Sequence, residues 1–290
     1  MAGGFSRSTK VKSSKLDSRA EKFLKDANGV LDIAQARFFQ DKIESLRTRD
    51  PDLFAKIEQH NEMMKKGKVE DAGHQKLVEM TWDTMAAYLP LISQSTDSSA
   101  LAKVEKRWKL IAKAACTRGN SETRILDVGC GDGAMFPFLI KAGASRAGYL
   151  GLDISSMMID AARSKHPDGR FEHGGFLDCP LAGQPAAYDT VLFNGSLQFF
   201  PDASAALGRA ARCLRPGGRI LLAHANGAAF VAAERRGSPA TVASDMPTLA
   251  ELEGLARGLG AELVPPERLG WRDPAGLSAF YLAALDVGPA

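Results

Sequence analysis

Between Asp17 and Arg49 apolar side chains return at helical intervals: Phe23, Leu24, Val30, Leu31, Ile33, Ala34, Phe38, Phe39, Ile43 and Leu46. This spacing predicts a long amphipathic helix, with a break at Asn28-Gly29. Asp50-Pro51 reads as a stop followed by a new helix start, because proline suits the first turn. Further helices fit Asp71–Tyr88, ending before Pro90, and Ser98–Ala115. At Arg124 the rhythm changes. Short apolar runs at Arg124–Val128, Tyr149–Leu152, Arg170–His173, Thr190–Phe193 and Arg219–Ala223 alternate with helical stretches. Strand–helix alternation of this kind predicts an α/β fold, a parallel sheet with helices on both faces. Glu262–Val264 and Ser278–Leu285 can add two more strands. The expected organisation is a mobile basic tail over 1–16, an all-helical extension or cap over 17–120, and an α/β domain over 121–290.

Charge changes this picture only through its distribution. The net charge of +3 does not argue for nucleic acid. Residues 1–120, however, hold 22 Lys or Arg against 16 Asp or Glu, and the remainder holds 15 against 18. The helical half is therefore the better candidate to meet an acidic partner, such as a protein, with a solvated helical surface as the plain alternative. Lys65-Lys66-Gly67-Lys68 reads as a solvated loop. No apolar run is long enough for a membrane span. Cys116, Cys130, Cys179 and Cys213 form no CxxC pair and have no histidine at ligand spacing, which speaks against zinc or a disulfide framework. They fit a reducing compartment, and a cytoplasmic location is expected. The basic, Ser-rich stretch Ser6–Lys15 leaves a plastid or other organelle open, as the remnant of a targeting peptide; a disordered tail is the other reading.

The strongest chemical signal is Ile125-Leu126-Asp127-Val128-Gly129-Cys130-Gly131-Asp132-Gly133. An apolar strand passes through an acid, a glycine-rich turn follows, and a helix is expected from about Ala134. Glycines let a ligand approach the backbone, and a helix N-terminus adds free N–H groups. A dinucleotide fingerprint is G-x-G-x-x-G. Here the glycines fall as G-x-G-x-G behind an acid, which would repel a pyrophosphate but suits the cationic ammonium end of S-adenosylmethionine. Asp153 follows Gly131 by 22 positions, at the end of the next strand, where a carboxylate can accept from both ribose hydroxyls. The alternative is that Asp153 caps the helix starting near Ser155. Asp178, after Gly175-Phe176-Leu177, can accept from an adenine amino group with Phe176 or Leu177 against the ring, or simply form a turn before Pro180. Two further segments follow: Tyr188–Asp202, and Leu214–Leu222, whose Pro216-Gly217-Gly218 makes a tight turn into a buried strand.

In their order and intervals these five segments resemble the class I S-adenosylmethionine-dependent methyltransferases, most closely the small-molecule branch often labelled type 11. The resemblance covers Arg124–Leu222 and, more loosely, the rest to the C-terminus. It implies a Rossmann-like three-layer sandwich on a mostly parallel seven-stranded sheet with a reversed last hairpin. It implies that S-adenosyl-L-methionine sits over Gly129, Cys130, Gly131 and Gly133. Asp127 and Gly129 would hold the methionine part, Asp153 and the adjoining Ile154 the ribose, and Leu177 and Asp178 the adenine; Asn194 would face the cofactor.

Methyl transfer from a sulfonium needs mainly alignment and a dry site, so catalytic residues leave little trace in sequence. Many relatives carry a His pair where this chain reads Leu197-Gln198-Phe199-Phe200. Gln198 can still orient an acceptor, and His224, at the end of a buried strand, is the remaining base candidate; its alternative is a structural histidine bonded to nearby backbone. His166 and His173 rank below it. Trp82, Tyr88 and Trp108 either line the acceptor pocket or pack helix on helix. The expected function is methylation of a small molecule. The rival is a non-catalytic binding or assembly subunit that uses the basic helices. An NPPY-like signature is absent, which lowers a protein or RNA substrate.

Overall fold

Strand β1, Thr123–Val128, has only Arg124 exposed, and lies between β2, Ala144–Asp153, and β4, Tyr188–Asn194, in a seven-stranded sheet. A strand buried on both faces must be apolar throughout, which is why Ile125-Leu126 and Val128 form a run rather than an alternation. The computed structural model describes residues 46–66, 71–93, 98–116, 122–180, 185–272 and 276–288. The tail, most of the first predicted helix with its Asn28-Gly29 break, and Gly67-Lys68 lie outside these residues.

The strand order is β3-β2-β1-β4-β5-β7-β6, with β3 Phe171–His173, β5 Leu214–His224, β6 Ala261–Val264 and β7 Tyr281–Val287. The first five strands pair in parallel, and β7 runs antiparallel to both β5 and β6. This is the Rossmann-like methyltransferase sheet with its reversed last hairpin. β7 starts at Tyr281, because Gly276–Ser278 forms a 3-10 turn instead of the strand start expected there. Pro216-Gly217-Gly218 lies inside β5. The pairing with β4 jumps from Leu214 to Arg219 around it, and Gly217 has φ +71.

Alternation sorts the core into two layers. Leu126, Val128, Leu150, Leu152 and Leu222 face α6, Ala203–Cys213, α7, Gly227–Gly237, and α8, Leu249–Gly258. Ile125, Tyr149, Leu192 and Leu221 face α3, Ser98–Ala115, α4, Phe136–Ala142, and α5, Ser156–Lys165. Helix ends follow local chemistry. Asp202 caps α6 by accepting from Ala205 N–H at 2.9 Å, and Thr248 with Glu251 forms a capping box on α8.

Two compact units divide the chain, Met1–Phe54 and Ala55–Ala290. Asp50 accepts from Leu53 N–H at 3.0 Å, and helix α1, Pro51–Lys66, begins at the proline as expected. Lys65 and Lys66 close that helix rather than lying in a loop. Helix α2, Asp71–Ser93, runs three residues past Pro90 where a stop was expected. So near a helix end the proline removes one hydrogen bond without ending the helix. No helix among the described residues is long and apolar enough to cross a membrane.

Candidate functional site

After Val128 the chain turns sharply and is sewn to the end of β2. Gly129 and Cys130 N–H both donate to Leu152 O, at 2.8 and 3.0 Å, and Gly131 N–H donates to Asp153 Oδ2 at 2.8 Å. Gly129 has φ +72, and a Cβ there would stand 2.4 Å from Ser196 Cβ. Gly131 has φ +55, yet a Cβ there would meet nothing within 4 Å. The first glycine is demanded by packing; the second borders open space. Gly133 abuts His166 and Phe171. The helix that follows starts at Phe136, two residues later than expected, and has only seven residues, so its N-terminus adds little to the turn.

Two buried acids flank this turn. Asp127, 1% exposed, accepts from Tyr149 Oη at 3.1 Å. Burial pushes its carboxyl up to about 7; the Tyr149 hydrogen bond opposes this and the Asp153 charge adds to it. Asp153 is pushed to about 6, again chiefly by burial. N–H groups of Ser155 and Gly131 and the nearby His173 act against the rise, and Asp83 adds to it. The helix cap assigned to Asp153 as an alternative is filled by Ser155, whose Oγ accepts from Met158 N–H at 3.1 Å. Asp153 keeps one backbone donor on each oxygen, Gly131 and Ser155. Buried carboxyls with raised pKa beside an open glycine turn suit a ligand that brings positive charge and hydroxyl donors.

The neighbouring strand ends complete the surroundings. Ile154 is half-buried and its carbonyl is bonded to His173 Nε2 at 2.9 Å. Cys130 is buried beside Gly151, where a Cβ would lie 2.9 Å from its Sγ. Phe176 packs edge-on to Phe193 and Phe200 in the core, which leaves Leu177, 40% exposed, as the free apolar surface of that turn. Asp178 is exposed in the same turn, its N–H donating to Gly175 O. Asn194 is half-buried at the end of β4, paired with Ala223.

Beyond Asn194, Gln198 is 1% exposed. Its Nε2 donates to Gly195 O at 3.1 Å, and its Oε1 is buried with no hydrogen-bond partner. His224 ends β5. Its Nδ1 accepts from Asn226 N–H at 3.2 Å, which leaves the proton of the neutral ring on Nε2, on the edge near Gly195. Burial lowers its pKa to about 4. Phe230, 44% exposed, lies over the ring at 5.5 Å between centroids. Trp82 meets Phe199 edge-on at 5.4 Å and Trp108 meets Phe138 at 5.5 Å, so both pack between elements; the side chain of Tyr88 lies outside the described residues.

Sequence reasoning missed three residues of this site. Ser196 Oγ donates to Val128 O at 2.5 Å and fills the space against Gly129. Tyr149 holds Asp127, and its signal was its position 22 residues after that acid, the same interval that separates Gly131 from Asp153. Asp83 of α2 reaches Ser155 and left no sequence signal.

Residues 125–218 match the methyltransferase domain family. The chain is 39% identical over 101 residues to an aklanonic acid methyltransferase of Streptomyces sp. (strain C5), covering 33% of this chain and 46% of that protein. It is 32% identical over 112 residues to a ubiquinone biosynthesis O-methyltransferase of Xylella fastidiosa (strain 9a5c), covering 37% and 43%. The chain thus spans less than half the length of these curated relatives. Among solved structures, the putative methyltransferase complexed with the Trm112 methyltransferase activator of Haloferax volcanii superposes with a TM-score of 0.51 at 22% identity, covering 72% of this chain and 98% of that one. A putative S-adenosyl-L-methionine-dependent methyltransferase of Methanococcus maripaludis gives 0.50 at 18% identity, covering 72% and 94%.

Proposed function

We propose that this chain, which belongs to the class I S-adenosylmethionine-dependent methyltransferases, methylates a small-molecule acceptor. The observation that carries the reading is the clasp of Gly131 by Asp153 beside buried Asp127, with open space over Gly131. S-adenosylmethionine, the cofactor of the family, supplies a methyl group already activated on sulfur. In this reading Asp127 and Gly129 hold the amino-acid end, with Cys130, Gly131 and Gly133 forming the floor. Asp153 and Ile154 hold the ribose, Leu177 and Asp178 the adenine, and Asn194 borders the transferred group. The α/β domain is read as 121–290, with the preceding helices closing the acceptor side. Cys116, Cys130, Cys179 and Cys213, which form no disulfide with one another, suit a reducing compartment such as cytoplasm or plastid.

The residues on the acceptor side divide the work by their hydrogen-bond polarity. His224 Nδ1 is occupied by Asn226 N–H, so Nε2–H is a donor and orients an acceptor oxygen rather than removing its proton. Gln198 Oε1 is a buried acceptor without a partner, and an acceptor hydroxyl would satisfy it. Phe230 offers an apolar face beside them. The relatives named as an aklanonic acid methyltransferase and a ubiquinone biosynthesis O-methyltransferase support small molecules methylated at oxygen as the first panel of acceptors. Titration calorimetry with S-adenosylmethionine tests the core of the reading. Binding is expected, and Asp153→Ala should weaken it by roughly 1–3 kcal/mol as buried hydroxyls lose a charged partner. No binding at millimolar cofactor would overturn it.

A further inference from the structure

Asp83 lies on α2, outside the segment 125–218 that matches the family. Its side chain is 3% exposed. Asp83 Oδ1 accepts from Ser155 Oγ at 2.6 Å and from Met157 N–H at 3.4 Å, and Oδ2 stands 3.5 Å from Lys56 Nζ. Ser155 is the joint in this arrangement. Its N–H donates to Asp153 Oδ1 at 2.9 Å while its hydroxyl reaches Asp83. Two carboxylates from distant parts of the chain are therefore fixed by one serine. A cap alone does not require this, since Ser155 Oγ already accepts from Met158 N–H. A second buried carboxylate next to Asp153 costs repulsion, relieved only in part by Lys56, whose side chain is 51% exposed. What the arrangement gains is a fixed orientation for Ser155 and hence for Asp153. The same helix holds the other side of the site. His74 bonds Phe199 O at 2.9 Å and Ala240 O at 3.1 Å, and Trp82 packs on Phe199.

We propose that Asp83 is a positioning residue for the cofactor: through Ser155 it aims Asp153 at the glycine turn, so that α2, outside the family segment, sets cofactor affinity. The proposal rests on the reading of Asp153 as the carboxylate that holds the ribose. Asp83 also imposes an electrostatic signature. The titratable and charged groups around Asp153 are Asp127 and Cys130 from β1 and its turn, His173 from β3, and Asp83 from α2 with Lys56 beside it. Burial is the main force that holds the Asp153 carboxyl up; the Asp83 charge adds to it, and removing that charge lets Asp153 stay ionised to lower pH.

The experiment titrates S-adenosylhomocysteine into the full chain across pH 5–8, for wild type, Asp83→Asn, Ser155→Ala and Asp153→Ala. Asp83→Asn keeps the shape and removes the charge. Its affinity at pH 8 is expected to fall roughly threefold to tenfold, as the charge-assisted hydrogen bond that orients Ser155 becomes a weaker neutral one. The pH below which binding weakens is expected to move downward relative to wild type. A residue that only stabilised the fold would lower the melting temperature and leave that pH unmoved. Ser155→Ala removes the joint without touching either acid and should give the same affinity loss, which keeps the test open if Asp83→Asn folds poorly. Wild-type affinity and an unshifted pH dependence in both variants would overturn the proposal, while a loss in Asp153→Ala would leave the functional reading standing. Failure of the wild type to bind would overturn both.

Discussion

Replacing Asp127 by Asn should make the ligand-free protein more stable while impairing its cofactor site. Asp127 is 1% exposed, and burial raises its carboxyl from 3.8 to about 7. A group whose folded pKa is raised favours the folded state fully below its unfolded value and loses that advantage as pH rises through the folded value. Between pH 4 and 7 the wild type therefore pays increasingly to keep an ionised carboxylate buried. At 1.36 kcal/mol per pH unit, the rise corresponds to roughly 4 kcal/mol as an upper bound by pH 8. Asn keeps an oxygen for the Tyr149 hydroxyl, which lies 3.1 Å from the carboxylate, and carries no charge. Each kcal/mol moves the melting temperature of a domain this size by about 2–4 °C. Thermal melts of ligand-free wild type and Asp127→Asn at pH 5 and pH 8 test this. The variant should melt several degrees higher at pH 8, with a smaller difference at pH 5, and should bind S-adenosylhomocysteine less tightly at pH 8. A variant that melts lower than wild type at pH 8, or a difference independent of pH, would refute the reasoning.

Two glycines of the turn should separate stability from binding. Gly129→Ala, left-handed and 2.4 Å from Ser196 Cβ, should cost at least about 2 kcal/mol in denaturant unfolding. Gly131→Ala should cost about 1–2 kcal/mol from backbone strain alone, with the larger loss in cofactor affinity because its methyl enters open space. His224 should remain neutral through pH 5, with its proton on Nε2 in nitrogen-resolved NMR spectra. Its lowered pKa means the stability it contributes is present above its unfolded value of 6.5 and lost as pH falls through about 4. Gln198→Leu should leave Asn194 and the cofactor in place but reduce turnover of hydroxylated acceptors, by removing the unpaired Oε1; unchanged turnover would exclude Gln198 from acceptor orientation.

The order of short apolar runs and helices, the acid ahead of the glycine turn, and the acid closing the next strand were legible without coordinates. Each is a local demand: a strand buried on both faces has to be apolar, and a backbone with φ +72 packed against a serine has to be glycine. Helix ends were less legible. Pro90 lies within α2, and the helix after the turn begins at Phe136, because a helix end depends on what packs against it. The roles within the turn also needed the fold. Only the three-dimensional neighbours reveal that Gly129 is crowded and Gly131 open, or that Phe176 belongs to the core and Leu177 does not. The proton position on His224 depends on a backbone N–H two residues away, which no pattern of residue types encodes. Asp83 is the clearest case. Seventy-two positions separate it from Ser155, and a hydrogen bond at that range has no period or motif; it exists because folding laid α2 against the start of α5.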